Sequence, residues 1–148
     1  MNRDQQFAVA YMKCALSIGE LSRCERAKVG AIIVKDGNII SMGYNGTPKG
    51  FDNCCELEVE DENGQVVLQT KSEDLHAEAN AITKAAKSTY STDGADLYCT
   101  HSCCFQCSKL IVQAGVKRFF YYNEYRDTSG LDLLRKAGVE VIHVVFEQ

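Results

Sequence analysis

Two short segments, His76-Ala77-Glu78 and Cys104-Phe105-Gln106-Cys107, constrain this chain more than anything else in it, because their side chains form one chemical set while lying far apart in sequence. One histidine, two cysteines and a carboxylate suit a catalytic zinc ion. A structural zinc is normally closed by four protein ligands, whereas a catalytic one keeps three and leaves the fourth position to water. The fold therefore has to bring both segments to one point and leave an opening there.

Local geometry limits how this is done. Cys104 and Cys107, three residues apart, share a helix face and can grip one ion from a first turn. Free N–H groups and the helix dipole lower thiol pKa values there. His76 and Glu78, two apart, point to nearly opposite sides of a helix interior, so both approach one ion only if His76 sits at the helix rim. Asp74 is the expected N-cap, with Ala77, Ala79, Ala81, Ala85 and Ala86 as a helix-favouring run behind it. Zinc with two thiolates and a neutral imidazole is formally neutral and acidifies water less than an all-histidine site. A general base is needed, and Glu78 is the candidate; a group in that role typically contributes roughly 100- to 10,000-fold in rate.

These residues resemble the zinc-dependent cytidine and deoxycytidylate deaminases, whose pattern is H-x-E followed by P-C-x-x-C. Residues 76–81 look like the first block and residues 97–107 like the second. Residues 29–34, leading to Gly43-Tyr44-Asn45-Gly46-Thr47-Pro48, and later Glu124-Tyr125, are most similar to the dCMP deaminases. The resemblance runs from about Arg23 to Val141. The family proline is Cys103 here, and Cys103 with Cys107 would also share a helix face. The two-residue spacing selects Cys104, leaving Cys103 as a thiol behind the ligands or as a fourth ligand that would close the site.

The resemblance implies a three-layer α/β/α cytidine-deaminase-like fold with a mixed, mostly parallel five-stranded sheet. It implies zinc-dependent hydrolysis of dCMP to dUMP and ammonia, with dUMP supplied to thymidylate synthesis. It also implies Asn45 at the sugar, Ala77 and Ser102 near the pyrimidine, and Tyr125 on the base or the phosphate. Activation by dCTP and inhibition by dTTP, each with Mg2+, would place Lys28 and the Gly43, Tyr44 and Gly46 backbone at effector phosphates. Lys84 and Lys87 would face an effector or a neighbouring subunit, in a hexamer or other homo-oligomer.

The residues themselves add Arg26. It stands in a basic cluster with Arg23 and Lys28, and guanidinium binds phosphate bidentately. A solvated surface is the competing reading for all these charges. A net charge of −4 argues against a polynucleotide partner, which demands a basic face, but leaves room for a small nucleotide. No apolar run approaches membrane-spanning length, and the polar start of the chain points to a cytoplasmic protein. Eight cysteines then read as metal ligands and small buried hydrophobes rather than disulfides.

The chain of 148 residues, 45% hydrophobic, suffices for one core and is expected to form a single domain over 1–148. Phe7, Tyr11, Cys14, Ile18 and Leu21 predict a first helix packing that face on a sheet. Residues 29–35 and 39–43 predict a hairpin around Asp36-Gly37. Residues 52–72 read as an insertion with a small hairpin around Asn63-Gly64. Strands over 96–100, 116–122 and 139–146 then alternate with a cysteine helix ending near Gly115 and a helix over 131–137. That alternation predicts parallel strands with helices on both faces, and both metal segments at helix starts, where α/β ligands bind.

The remaining residues have plainer readings. His101 borders the site, His143 is structural, Cys14, Cys24 and Cys99 are core, and residues 119–122 form a buried strand. Cys54 and Cys55 beside acids suggest a second zinc, which the shortage of further histidines disfavours. Two other functions stay open. One is deamination of another cytosine compound. The other is a non-catalytic zinc module in which Cys103 closes the site and Glu78 has no role.

Overall fold

The computed structural model describes residues 1–148. Its elements are α1 (Arg3–Gly19), β1 (Gly30–Lys35), β2 (Asn38–Tyr44), β3 (Glu56–Glu60), β4 (Val66–Thr70), α2 (Ala77–Ala86), β5 (Asp96–His101), α3 (Phe105–Gln113), β6 (Arg118–Asn123), α4 (Ser129–Lys136) and β7 (Glu140–His143). Asp36 and Gly37 both take positive φ, 51° and 76°, the backbone whose twist matches a two-residue hairpin, and so they close β1 on β2.

The main sheet has the order β2-β1-β5-β6-β7. β1 runs antiparallel to both neighbours, whereas β5, β6 and β7 are parallel to one another. The sheet is therefore mixed, as expected, with two of its four pairings parallel. β3 and β4 form a separate antiparallel pair whose turn contains Gly64 at φ 74°.

Alternation along β1 separates two cores. Ala31 and Ile33 join Ala77, Ala81, Cys107, Ile111 and Leu131 in the layer that holds α2, α3 and α4. Ile32 and Val34 face the other way, to Met12, Ala15, Tyr98 and Phe120 beneath α1. This is the three-layer α/β/α fold. The aromatic residues Phe119, Phe120 and Tyr121 are buried in β6, as expected.

Three expectations need correction. The face of α1 that meets the sheet carries Ala8, Met12, Ala15 and Gly19 with the expected Tyr11 and Ile18 packed beside them, while Phe7, Cys14 and Leu21 are exposed. Small residues win because the helix lies so close to β1 that a Cβ on Gly19 would stand 2.9 Å from the Gly30 nitrogen. The last strand is only β7, Glu140–His143, shorter than residues 139–146. Cys24 and Cys55, read as thiols, form a disulfide across 31 residues, because the β3–β4 hairpin folds back onto the loop after α1. No helix is long and apolar enough to cross a membrane.

Candidate active site

The strand β2 holds α2 by backbone contact. A Cβ on Gly43 would stand 2.6 Å from the Ala81 nitrogen and 2.7 Å from the Ala77 oxygen, so only glycine lets the helix lie this close. The Ser41 hydroxyl donates to the Ala81 carbonyl at 2.6 Å, and the Asn80 amide donates to the Tyr44 carbonyl at 2.8 Å. On the approach to the helix, Gly46 and Leu75 exchange backbone hydrogen bonds of 3.1 and 2.7 Å.

These anchors place His76 at the N-cap, with extended φ −74° and ψ 156°, which is the rim position that its spacing from Glu78 requires. Asp74 does not cap the helix as expected. The chain is still on its way into the helix there, and both Asp74 carboxylate oxygens are buried without a hydrogen-bond partner.

Cys104 likewise takes the N-cap of α3, where its sulfur accepts from the Cys107 N–H at 3.4 Å. The two helix starts converge. His76 Nδ1 lies 3.4 Å from Cys104 Sγ and 3.3 Å from Cys107 Sγ. A tetrahedral zinc with ordinary bond lengths sets its nitrogen and sulfur ligands roughly 3.6 Å apart, so this donor set fits the ion. Cys103 points away into the core and is 1% exposed. The ambiguity between Cys103 and Cys104 is thus one of chain direction, and the N-cap geometry orients Cys104 towards His76.

Glu78 sits in the first turn of α2 and is 4% exposed. Burial raises its carboxyl pKa above the usual glutamate value. The Cys107 thiol, then His76, pulls Cys104 down towards the thiolate, and the bond to Cys104 raises His76 in turn. Burial pushes the Cys103 thiol up.

A cleft of about 390 Å³ opens over this cluster, with His76, Glu78 and Cys104 in its lining. Asn45, Ala77, Ser102, Tyr125 and Arg26 also line it. The Asn45 amide is already engaged, accepting from the Val29 N–H and donating to the Ala27 carbonyl, both at 2.8 Å. The Ser102 hydroxyl accepts from the Tyr125 N–H at 2.8 Å, and the Tyr125 ring stacks on His101 with centroids 5.2 Å apart. Arg26 donates to the Thr70 hydroxyl at 3.1 Å.

A second cleft, of about 320 Å³, is lined by Tyr44, Gly46 and the cations Arg23, Lys49 and Lys84. Lys28 and Lys87 are exposed and line neither cleft. Gly43 is turned to α2. Cys24, Cys55 and Asp74 also lie together, within 4.8 Å, but the two sulfurs are bonded to each other.

Some contributors were not visible in the sequence. A Cβ on Gly130, at the start of α4, would stand 2.8 Å from the Cys104 oxygen; a glycine inside a helical pattern was the available signal of close backbone approach. Glu56 and Thr70 enter the cleft wall from the β3–β4 hairpin, and no local pattern announces that.

Comparison with known proteins agrees with the geometry. The family model described as "Cytidine and deoxycytidylate deaminase zinc-binding region" matches residues 5–123. The deoxycytidylate deaminase of Enterobacteria phage T4 is 33% identical, over 93% of this chain and 89% of that one. That of Enterobacteria phage T2 is 34% identical, over 93% and 92%. The crystal structure of dCMP deaminase from the cyanophage S-TIM5, in complex with dCMP and dUMP, superposes with a TM-score of 0.85 at 51% identity, covering 97% of this chain and 98% of that one.

Proposed function

The chain belongs to the cytidine and deoxycytidylate deaminase family, and on that premise we propose that it hydrolyses dCMP to dUMP and ammonia. One observation carries the reading: three metal-ligand atoms meet at two helix N-termini beside a buried carboxylate, in an open cleft whose wall includes an arginine. The nucleotide-bound cyanophage relative supports the same substrate class.

His76, Cys104 and Cys107 would hold zinc, which when bound lowers the pKa of the attacking water. Glu78 does the proton work. It takes a proton from that water as the water oxygen bonds to C4 of the base, and passes the proton to N3. It then takes the second proton from the new C4 hydroxyl and delivers it to the exocyclic amine as the C4–N bond breaks and the C4 carbonyl forms, so that water and dCMP become dUMP and ammonia. Burial keeps Glu78 dry and its pKa raised, which suits a group that gains and loses a proton in each turnover. Ala77 and Ser102 border the pyrimidine, Tyr125 with its stacked His101 covers the base or meets the phosphate, Asn45 bounds the sugar, and Arg26 takes the phosphate.

The product feeds thymidylate synthesis. Regulation follows, with Mg2+-bound dCTP activating and dTTP inhibiting from the second cleft, where Arg23, Lys49 and Lys84 supply cations for a triphosphate and Tyr44 and Gly46 supply backbone. The assembly is a homo-oligomer of hexamer type. Cys103, buried away from the ligands, argues against a closed structural zinc module.

The test is ammonia release from dCMP, deoxycytidine, cytidine and a short cytosine oligonucleotide, with Glu78→Ala as control. Selective turnover of dCMP is the expected result, and turnover of only another compound overturns the substrate. Rates at low dCMP that do not change with dCTP or dTTP overturn the regulation.

A further inference from the structure

Glu56 carries a buried carboxylate, 8% exposed, that takes no part in the chemistry above. Its two oxygens accept from the Glu25 N–H at 3.2 and 3.1 Å, and one of them also accepts from the Arg26 N–H at 3.1 Å. Charge-assisted bonds of this kind fix two consecutive peptide units more firmly than neutral acceptors would. The next residue back is tied as well, through the Cys24–Cys55 disulfide. Glu56 pairs across the hairpin with Thr70, and it is the Thr70 hydroxyl that receives the Arg26 guanidinium. The backbone and the side-chain end of Arg26 are thus both held by opposite members of one cross-strand pair, at the wall of the cleft.

We propose that Glu56 is a positioning residue for substrate selection, holding the Glu25–Arg26 turn so that the Arg26 guanidinium is set in advance to select a 5′-monophosphate over the free nucleoside. This rests on the reading of Arg26 as the phosphate contact. A long exposed arginine loses rotamer freedom when it binds an anion, and a side chain already held loses less. The β3–β4 hairpin is then the structural source of phosphate selectivity, and the catalytic cluster is independent of it.

The test compares wild type, Glu56→Gln, Arg26→Ala and the double variant, with dCMP and with deoxycytidine, alongside zinc content and melting temperature. Glutamine keeps the size but turns an N–H group towards the amides that Glu56 accepts from. Expected for Glu56→Gln is a KM for dCMP raised about tenfold, with kcat and the deoxycytidine kcat/KM within about twofold of wild type. The double variant should bind dCMP no worse than Arg26→Ala, because both changes remove one contact.

An unchanged KM in Glu56→Gln, with a raised KM in Arg26→Ala, overturns the positioning role and leaves the arginine contact standing. An unchanged KM in Arg26→Ala overturns both. A fall in kcat alone for both substrates marks Glu56 as merely structural and overturns the proposal. Absence of dCMP turnover in the wild type overturns the substrate reading, and this role with it. If Glu56→Gln fails to fold, Thr70→Val gives the same readout with an expected rise of about threefold, and no rise overturns the proposal.

Discussion

His76 Nδ1 lies 3.3 Å from Cys107 Sγ although 31 positions separate them in the chain. The contact joins the start of α2 to the first turn of α3, so an ion held there ties two helices together. Binding is then coupled to folding. Chelation of the wild type should lower its melting temperature by about 10 °C, as roughly 4 kcal/mol of linkage is lost at a thousandfold excess over Kd. Cys104→Ser should lose the metal and melt like the chelated protein, whereas Cys103→Ala should keep stoichiometric zinc. Metal analysis and calorimetry check both.

Burial of Glu78 makes the stability of the fold depend on pH. The folded-state pKa of this carboxyl is raised by burial, so the folded chain holds this proton more tightly than the unfolded chain does. Below the ordinary glutamate pKa both states are protonated and nothing is lost. As pH rises from there through the raised folded value, the unfolded chain ionises first and stability falls. Metal-free Glu78→Gln should therefore melt above wild type near neutral pH, with the gap closing as pH falls to the ordinary glutamate range at about pH 4. The same variant should bind zinc and lose at least about 100-fold in turnover.

Gly43 and Gly130 should be sensitive for steric reasons rather than chemical ones. Alanine at 43 drives a methyl group into the Ala77–Ala81 backbone, and at 130 into the Cys104 carbonyl. Each should cost about 2 kcal/mol or more, and each moves one half of the ligand set. Zinc affinity should fall in both variants even where the chain still folds. Titration against a competing chelator reads this directly.

The Cys24–Cys55 disulfide closes a loop of 31 residues around β1 and β2. Cys24→Ser, or reduction of the wild type, should lower stability by roughly 2–4 kcal/mol in denaturant titrations. Zinc content should be unaffected, because neither sulfur belongs to the catalytic cluster.

Much of this was legible beforehand, where the signal was local. The positive-φ turn at Asp36-Gly37, the hairpin around Asn63-Gly64 and the buried run at 119–121 follow from residue types acting over a few neighbours. The α1 face and the cap at Asp74 were misread because both depend on what lies opposite. Bulky Phe7 and Leu21 look like core until the close approach of Gly19 to Gly30 is known.

The sequence by itself determined the chemistry of the chain: which donors exist, that three of them suit one zinc, and that a carboxylate stands two residues from the histidine. Those are properties of side chains and of spacing along one helix turn. Only the tertiary structure decided that Cys104 rather than Cys103 faces His76, that Cys24 finds Cys55, and that Glu56 and Thr70 hold Arg26 at the cleft. Each of these is a contact between segments distant in the chain, set by how β2 and the β3–β4 hairpin pack, and no periodicity within either segment encodes it.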